Sequence, residues 1–597
     1  MKKDEWNLDS LTIKDDVDYE EYWKGLEEVY RKFITKWKER KDYLEKPEIL
    51  KEAFDEYEEM MREYAGGGKM AYYYSLKNAQ NQDDLEIKAK LNQFEEKITK
   101  LGNEIQFFGL NISKIPHEKQ RKFLDYGGLK EYRHHLESSF KEAKHLLSND
   151  EEKIMNLKSS TSHSKWVEMV ERIISKKSKK VITEEGIKEI SFSEIMGLIS
   201  STNKKVRDSA ASAINEVLRE VVDVAEEEMN AILYDNKVTD ELRKFKRPDE
   251  GRHLGDDIDT EVVDSLLKAV TENFELSKKY YHLKARLFGL KKLEYHERNV
   301  PYGRIDKKYS YDDSVRLVTE VFRNLDGEFA DIFNSFVKNG QMDVHPRKGK
   351  MGGAFCTHLG KNHPTFILLN HTDRLQDVLT IAHETGHGIN NEMIRKKQNA
   401  INFGTPKSTA EVASTFMEDF VLQKLFDETD DEELKLSLMM MKLNEDASTI
   451  FRQAACYNFE TELHKTHAEK GFLSKEEIGK IFSKHMHSYM GDFVEQNEGS
   501  ENWWVYWSHL RNFFYVYSYV SGLLISKSMQ AKVKKDKKFI SKVKEFLASG
   551  TSDSPKNIFV KMGIDITDKK FWLEGIHEFR DLLDETEKLA KKLGKIE

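Results

Sequence analysis

Proline is scarce in this sequence, and its scarcity constrains the fold more than any other single feature. Only eight prolines occur in 597 residues, so few positions can interrupt an α-helix. The strong helix formers Glu, Lys and Leu are abundant, and long stretches show helical periodicity with polar outer faces. We therefore expect a mainly α-helical protein.

Charge and cysteine content narrow the function classes. Lys and Arg number 96 against 105 Asp and Glu, a net charge of −9, and no basic arm or glycine-rich phosphate loop occurs, so no nucleic-acid partner is expected. Two cysteines, Cys356 and Cys456, indicate a reducing compartment in a chain this long. The first residues lack the apolar core of a signal peptide, and no uncharged apolar run approaches the roughly 20 residues of a membrane span. These features predict a cytoplasmic protein without membrane contact.

The segment DRLQDVLTIAHETGHGINNEM predicts a helix that can hold a metal ion. Asp373 and Gln376 are predicted to form a capping box at its start. His383 and His387 are four residues apart, so they share one helix face and can bind the same ion. Glu384 lies one position round the helix, within reach of a water on that ion. Zinc suits imidazole ligands and lowers the pKa of its water to about 7.

An ordinary charged helix is the alternative for this segment. With 20 histidines in the chain, an H-E-x-x-H pattern arises by chance roughly 0.07 times in such a sequence. An apolar stripe runs along the same helix at helical spacing and predicts a buried face. Its members are Leu375, Val378, Leu379, Ala382 and Gly386. A third ligand is needed to decide between the two interpretations.

Glu411 is the predicted third ligand. It lies in a second helical stretch, STAEVASTFMEDFVLQKLF, and the turn NFGTPKS lets the chain return towards the histidines. Glu418 lies seven residues further on the same helix face and is predicted to orient a ligand histidine. A surface helix carboxylate is the alternative for Glu411, but its small neighbours Ala410, Ala413 and Ser414 favour a buried one.

Two short segments before the motif carry the only convincing strand signals. MGGAFCTHL and TFILLN are apolar or aromatic and are bounded by Gly, Pro and Asn. We expect them to form a small sheet beside the metal-binding helix.

Aromatic residues are concentrated in WWVYWSHLRNFFYVYSYVSG, residues 503–522. Such density usually means core packing. His509, Tyr515, Tyr517 and Tyr519 nevertheless carry polar tips that must be satisfied or used. In a zinc peptidase, an imidazole and phenols opposite the metal can stabilise a tetrahedral oxyanion.

Four stretches together resemble the M3 family of zinc metallopeptidases, in particular the oligoendopeptidase F branch related to thimet oligopeptidase. They are DVHPRKGKMGGAFC, FILLNHTDRLQDVLTIAHETGHGI, AEVASTFMEDF and HLRNFFYVYSYVSGL. The resemblance implies a mainly α, two-lobed helical metallopeptidase with a deep central channel and a small β-sheet next to the H-E-x-x-H helix. We divide the chain accordingly into an N-terminal helical lobe, residues 1–200, and a catalytic domain, residues 201–597.

The resemblance also assigns the residues of the metal site. It implies one Zn²⁺ per chain, held by His383, His387 and Glu411, with Glu384 as general base.

Further residues are assigned to the substrate. The strand segment Gly353, Ala354 and Phe355 would pair with the substrate backbone. The resemblance assigns oxyanion stabilisation to His509, Tyr515 and Tyr517. Phe514 stands where many family members have tyrosine, so which phenol contacts the oxyanion stays open.

The function that follows is a zinc-dependent oligoendopeptidase that hydrolyses internal bonds of short, unstructured peptides. A dipeptidyl carboxypeptidase on the same scaffold is one alternative, and it would need a cation to hold the C-terminal carboxylate of the substrate. A non-catalytic, zinc-containing peptide-binding protein is another. A structural zinc site usually has four protein ligands, and no cysteine lies near the motif to be the fourth. Composition and motifs leave the oligomeric state open.

Overall fold

The computed structural model describes residues 4–11, 15–303, 305 and 307–597. This part of the chain contains 25 α-helices and seven short strands, which confirms the expected mainly helical fold. None of its helices is both long enough and apolar enough to span a membrane.

The helices before residue 300 vary widely in length, and the longest, α11, has 40 residues. They are α1 (Asp15–Trp37), α2 (Pro47–Tyr64), α3 (Gly68–Gln80), α4 (Leu85–Ile105), α5 (Phe107–Ser113), α6 (His117–Leu124), α7 (Arg133–Glu142), α8 (Asn149–Ser159), α9 (Lys165–Ser175), α10 (Phe192–Leu198), α11 (Lys204–Arg243), α12 (Glu250–Gly255), α13 (Thr260–Thr271) and α14 (Phe274–Leu287).

The later helices include both segments of the predicted metal motif. They are α15 (Tyr311–Leu325), α16 (Gly327–Asn339), α17 (Leu375–Lys397), α18 (Val412–Glu428), α19 (Glu432–Asp446), α20 (Gln453–Lys470), α21 (Lys475–Met490), α22 (Tyr517–Lys535), α23 (Ile540–Leu547), α24 (Pro555–Lys561) and α25 (Lys569–Lys592). A π-helical turn, Ala447–Arg452, joins α19 to α20.

The described strands form three small sheets. They are β1 (Ser178–Thr183), β2 (Gly186–Ser191), β3 (Leu293–Glu294), β4 (Met342–Asp343), β5 (Phe355–Thr357), β6 (Phe366–Leu368) and β7 (Val494–Glu495). The sheet orders are β1-β2, β3-β7 and β4-β6-β5. β5 and β6 are the two strands predicted from the sequence, and they pair antiparallel with Cys356 opposite Ile367.

The chain folds into two compact units, each built from three segments. The first unit comprises Met1–Lys144, Asp306–Leu425 and Lys532–Ile564, and the second comprises the remaining segments His145–Ile305, Phe426–Ala531 and Asp565–Glu597. The boundary at residue 200 and the central channel stay predictions.

An aromatic cluster forms much of the core in the first segment of unit one. Trp37, Tyr43 and Phe54 are fully buried there, and Phe108 packs edge-on against Phe54 with ring centroids 5.5 Å apart. Aromatic side chains bury large apolar areas, so this helical segment has a hydrophobic core of its own.

The hairpin β1-β2 is a strand pair that the sequence analysis missed. Its register runs from Ser178 opposite Ser191 to Thr183 opposite Gly186. Val181 is its only fully buried side chain, and Ile187 is 74% exposed. A ribbon this exposed lacks the alternation of apolar and polar residues by which a half-buried strand is recognised.

The start of α17 also differs from the prediction. The helix begins at Leu375, and Asp373 lies outside it in a left-handed conformation with φ of 64°. The N-terminus of α17 is held by Asp377 instead. The carboxylate of Asp377 accepts hydrogen bonds from the backbone amides of Thr372 (2.7 Å) and Arg374 (2.9 Å). The predicted capping box of Asp373 and Gln376 was therefore wrong, and the N-terminal boundary moves by two residues.

Candidate metal centre

Helix α17 carries the H-E-x-x-H motif with its apolar stripe facing inwards. The predicted stripe is confirmed, since Leu375, Val378, Leu379 and Ala382 are at most 3% exposed. The rings of His383 and His387 lie side by side on another face, with centroids 5.2 Å apart. A buried stripe thus fixes the rotation of the helix, and that rotation presents both imidazoles together.

Close packing of α17 on α18 depends on Gly386. A Cβ atom at this position would lie 2.6 Å from the Ala413 carbonyl oxygen and 2.6 Å from the Ser414 Cα. Only a glycine permits so close an approach of the two backbones. The approach places Glu411, which directly precedes α18, next to the two histidines.

Glu411 completes a group of three possible metal ligands. Its Oε2 atom lies 3.4 Å from Nε2 of His383 and 3.6 Å from Nε2 of His387. The three side chains are partly exposed, with 28%, 25% and 38% of the side-chain surface accessible for His383, His387 and Glu411. They are therefore accessible to solvent.

Two further contacts hold these ligands in place. Nδ1 of His383 lies 2.8 Å from Oε2 of Glu418, so this nitrogen donates to the carboxylate and leaves Nε2 free to bind a metal. The Ser414 hydroxyl donates to Oε2 of Glu411 over 3.0 Å. From the sequence, Ser414 was identified only as a small neighbour of Glu411. The E-x-x-S spacing is the signal that could have predicted this bond.

The charges around the motif depend strongly on burial. Burial lowers the pKa of His383, but hydrogen bonds to Glu411 and Glu418 outweigh it and raise the pKa to about 10. Burial raises the pKa of Glu411, but the two histidines outweigh it and hold this pKa far below its usual range. The pKa of Glu384, which is only 8% exposed, is raised chiefly by burial. The negative charge of the carboxylates at this site is therefore balanced either by protons on the histidines or by a bound cation.

The donor set fits a divalent metal ion. Two ligands bound about 2.1 Å from a tetrahedral ion are about 3.4 Å apart, close to the 3.4 and 3.6 Å measured between the histidine nitrogens and Glu411. All three donor atoms lie within 4.8 Å of one another. Two imidazoles and one carboxylate leave a coordination position open, as catalytic sites require.

A second group of possible ligands lies in the other unit. The possible ligand atoms of Asp208, Glu294 and His296 also lie within 4.8 Å of one another. Nζ of Lys204, however, lies 3.1 Å from Asp208 and 3.8 Å from Glu294. Because an ammonium group already neutralises these carboxylates, we assign no metal to them.

The predicted substrate-binding strand lies at the edge of its sheet. Among the described strands, β5 pairs with β6 and its other edge has no strand partner. Gly353, just before β5, has φ of 75° with open space around its Cα. The Asn370 side chain, missed in the sequence analysis, donates to the Gly353 carbonyl over 2.7 Å. Ala354 and Phe355 are partly exposed.

The predicted oxyanion residues separate into two groups within the second unit. His509, Tyr515 and Tyr519 form an aromatic cluster, with the His509 Nε2 3.1 Å from the Tyr519 hydroxyl and ring centroids of Tyr515 and Tyr519 5.3 Å apart. Tyr517 is fully buried instead, and its hydroxyl donates to Asp256 over 3.0 Å. Tyr517 is therefore not accessible, whereas His509, Tyr515 and Tyr519 are partly exposed.

A mainly helical fold with an H-E-x-G-H helix, and with a glutamate beside its histidines just before α18, is that of a metallopeptidase. The model of Peptidase family M3 matches residues 198–578, and the model of Oligopeptidase F matches residues 111–176. The chain belongs to peptidase family M3, in its oligoendopeptidase F branch, and is a metallopeptidase that acts on peptides.

Curated relatives support the same placement. The chain is 25% identical over 538 residues to an oligoendopeptidase F homolog of Lactococcus lactis subsp. lactis (strain IL1403), covering 88% of each chain. It is 25% identical over 494 residues to oligopeptidase PepF of Bacillus subtilis (strain 168), covering 81% of this chain and 72% of PepF.

Solved structures share the fold. A putative peptidase from Chlamydophila abortus has a TM-score of 0.86 at 22% identity and covers 98% of both chains. The oligoendopeptidase-F from Enterococcus faecium has a TM-score of 0.70 at 18% identity and covers 97% of this chain and 99% of its own.

Proposed function

We propose that this protein is a zinc-dependent oligoendopeptidase that cuts internal bonds of short, unstructured peptides. One observation carries the proposal: the Glu411 carboxylate lies 3.4 and 3.6 Å from the Nε2 atoms of His383 and His387. Glu384 follows His383 directly on the same helix. This is the arrangement that metal-assisted hydrolysis of a peptide bond requires.

The proposed mechanism assigns the proton transfers to Glu384. A zinc ion held by His383, His387 and Glu411 would supply Lewis acidity to the scissile carbonyl and to the attacking water. Glu384 takes the proton from that water and delivers it to the leaving amine. Its raised pKa, caused chiefly by burial, suits both steps because the carboxyl group must accept and then release a proton. Glu418 keeps the His383 ring oriented.

Substrate binding is proposed to use the free edge of β5. An extended peptide can add as a further strand along Gly353, Ala354 and Phe355, with hydrogen bonds to the backbone groups of this segment that do not pair with β6. The edge position of β5 supports this role. Backbone pairing is independent of side chains, so the strand would hold many different sequences.

Oxyanion stabilisation is proposed for His509, Tyr515 and Tyr519. The resemblance suggested Tyr517, but the burial of Tyr517 and its bond to Asp256 favour Tyr519 as the second phenol. Both phenols and the imidazole can donate a hydrogen bond to a developing negative charge.

The test combines metal content with hydrolysis of a mixed peptide library. Glu384→Gln removes the base and preserves its shape, so we expect a metal content near one per chain and a fall in kcat/KM of about three orders of magnitude or more. Glu392→Gln, a carboxylate change on the same helix, is the control with parental activity. Hydrolysis by Glu384→Gln at the parental rate would contradict the assigned base.

A further inference from the structure

Arg452 occupies an unusual position in the second unit. It is the last residue of the π-helical turn Ala447–Arg452, between α19 and α20. A π-turn inserts one extra residue into a helix and redirects the side chains next to it, and such turns are frequent at functional sites. Arg452 is partly buried in this position.

The guanidinium of Arg452 has no polar partner among the described residues. Its Nε atom is buried without a hydrogen bond, and no described carboxylate forms an ion pair with its terminal nitrogens. The guanidinium lies over the Trp507 ring, with its Cζ atom 5.6 Å from the ring centroid. Its charge also acts on the buried groups of Tyr281, Tyr489 and Cys456. A partly buried cation without a partner is unfavourable, so the group is suited to a ligand.

Several other arginines in this unit have polar partners for the guanidinium group. Arg298 also has a buried Nε without a hydrogen bond, but its Nη1 donates to the Tyr295 carbonyl over 2.7 Å. Arg511 lies 2.7 Å from Glu228, and Arg207 lies 2.7 Å from Glu297. Arg252 donates to the Asn512 side chain over 2.9 Å. The missing partner at Arg452 is therefore not a general property of the arginines here.

The neighbourhood of Arg452 connects it to the proposed oxyanion group. Trp507, which it contacts, lies two residues before His509 in the chain. Burial lowers the pKa of His509, and the charge of Arg452 lowers it further. Arg452 and His509 therefore belong to the same part of the second unit, in which Nε2 of His509 also contacts the Tyr519 hydroxyl.

We propose that Arg452 binds a carboxylate of the peptide substrate. A guanidinium binds a carboxylate through two parallel charge-assisted hydrogen bonds, and peptides carry this group at the C-terminus and on Asp and Glu. The identity of the ligand as a peptide rests on the proposed function. Arg452 would then determine specificity, favouring peptides that carry a carboxylate over neutral ones.

The experiment measures peptide binding without turnover. Glu384→Gln serves as the background, and calorimetry compares three peptides of one neutral sequence: a free acid, its C-terminal amide, and the amide with one internal Glu. We expect the free acid or the Glu-containing amide to bind about 10- to 100-fold more tightly than the neutral amide. Preference for the free acid identifies the C-terminus as the source of the carboxylate, and preference for the internal Glu identifies a side chain.

Substitutions at Arg452 complete the test. Arg452→Gln should remove the preference and Arg452→Lys should retain part of it, whereas Arg219→Gln, a change at an exposed arginine of the same unit, should leave it intact. Equal binding of all three peptides by the background protein overturns the proposal, and so does a preference that survives Arg452→Gln. If Arg452→Gln does not fold, equal binding of the three peptides by the background protein still overturns the proposal, and so does a full preference in Arg452→Lys, whereas a reduced preference in Arg452→Lys supports it.

The two proposals fail in different ways. If Glu384→Gln still hydrolyses peptides, the assigned base is wrong, but a carboxylate preference lost on Arg452→Gln still holds. If hydrolysis depends on Glu384 but peptides with and without a carboxylate bind equally well, the proposed role of Arg452 is wrong and the proposed function still holds.

Discussion

At the scale of single residues, the metal site separates groups that bind an ion from groups that orient its ligands. Glu411 lies next to both histidine Nε2 atoms, whereas Glu418 contacts only the far nitrogen of His383. Removing either carboxylate should weaken metal binding, but to different degrees, because only Glu411 offers a donor atom to the ion.

Substituting Glu411 and Glu418 separately tests whether the first binds the metal and the second only orients His383. Glu411→Ala should lose metal and activity together. Glu418→Ala should bind metal about 10- to 100-fold more weakly and regain activity when excess zinc is supplied. Metal titration against a competing chelator gives both affinities. Full metal occupancy in Glu411→Ala would mean that another residue is the third ligand.

Glu460 is a buried carboxyl group that should make the stability of this protein depend on pH. Burial raises its pKa from 4.5 to about 8, against smaller opposing effects of the Phe514 amide and Arg252. Oε1 accepts a hydrogen bond from the Phe514 amide over 3.1 Å, and Oε2 has no partner. The group is therefore protonated in the folded protein at neutral pH.

The sign of the effect follows from the direction of this shift. The folded state binds the proton more tightly than the unfolded state, so the stabilisation is complete below a pH of about 4.5 and is lost as the pH rises to about 8. A shift of this size corresponds to about 3–5 kcal/mol. Glu460→Gln keeps the acceptor for Phe514 and should abolish the dependence.

Denaturant unfolding at pH 5, 7 and 9 measures the prediction. Glu460→Gln should be more stable than the parent at pH 9 and should show a flatter profile. Glu469→Gln, an exposed carboxylate on the same helix, is the matched control and should follow the parent. Parallel profiles for the parent and Glu460→Gln would show that the buried carboxyl does not govern the alkaline loss.

At the scale of secondary-structure elements, the metal centre depends on how closely α18 approaches α17. Neither helix holds the site alone, because His383 and His387 come from α17 and Glu411 from the turn before α18. Gly386 is the contact point, with no room for a Cβ against the backbone of Ala413 and Ser414.

Gly386→Ala should therefore separate the two elements. The added methyl group meets backbone atoms, which cannot rotate away, so we expect a loss of about 1–3 kcal/mol in stability and at least about tenfold weaker metal binding. Gly102→Ala, in helix α4 with open space around it, is the control and should stabilise the protein by up to about 1 kcal/mol. Parental metal affinity in Gly386→Ala would show that the close approach does not position Glu411.

At the scale of the whole molecule, the family and the free edge of β5 together predict selection for unfolded substrates. A peptide that adds as a strand must be extended over several residues. A folded protein can offer such a segment only by unfolding, which costs about 5–15 kcal/mol globally. Peptides without stable structure avoid this cost.

Hydrolysis of a peptide ladder tests the prediction against a folded protein. We expect cleavage of peptides of about 5–20 residues, an estimate from a reach of about 3.3 Å per extended residue. An equimolar folded protein should remain intact, and the same protein after denaturation and blocking of refolding should be cut. Mass spectrometry identifies the products. Efficient cleavage of the folded protein at internal loops would indicate an open cleft.

Features that depend on local spacing could be predicted from the sequence. The scarcity of proline predicted the helical fold, and the spacing of Leu375, Val378, Leu379 and Ala382 predicted which face of α17 is buried. Positions along one helix are related by a fixed rotation, so spacing alone brought His383 and His387 together. Even so, the capping of α17 was predicted wrongly, because local hydrogen bonds at a helix end have several competing donors and acceptors.

Contacts between segments that are distant in sequence could not be predicted and became visible only in the folded structure. His383 and Glu418 are 35 residues apart in sequence, and the closeness of α17 to α18 depends on what surrounds Gly386. Tyrosines stand at positions 515, 517 and 519. The sequence did not show that Tyr517 is the one buried against Asp256. The unpartnered state of Arg452 is likewise visible only when every neighbour is in place. Contacts of this kind depend on packing between elements, which no pattern within a single segment specifies.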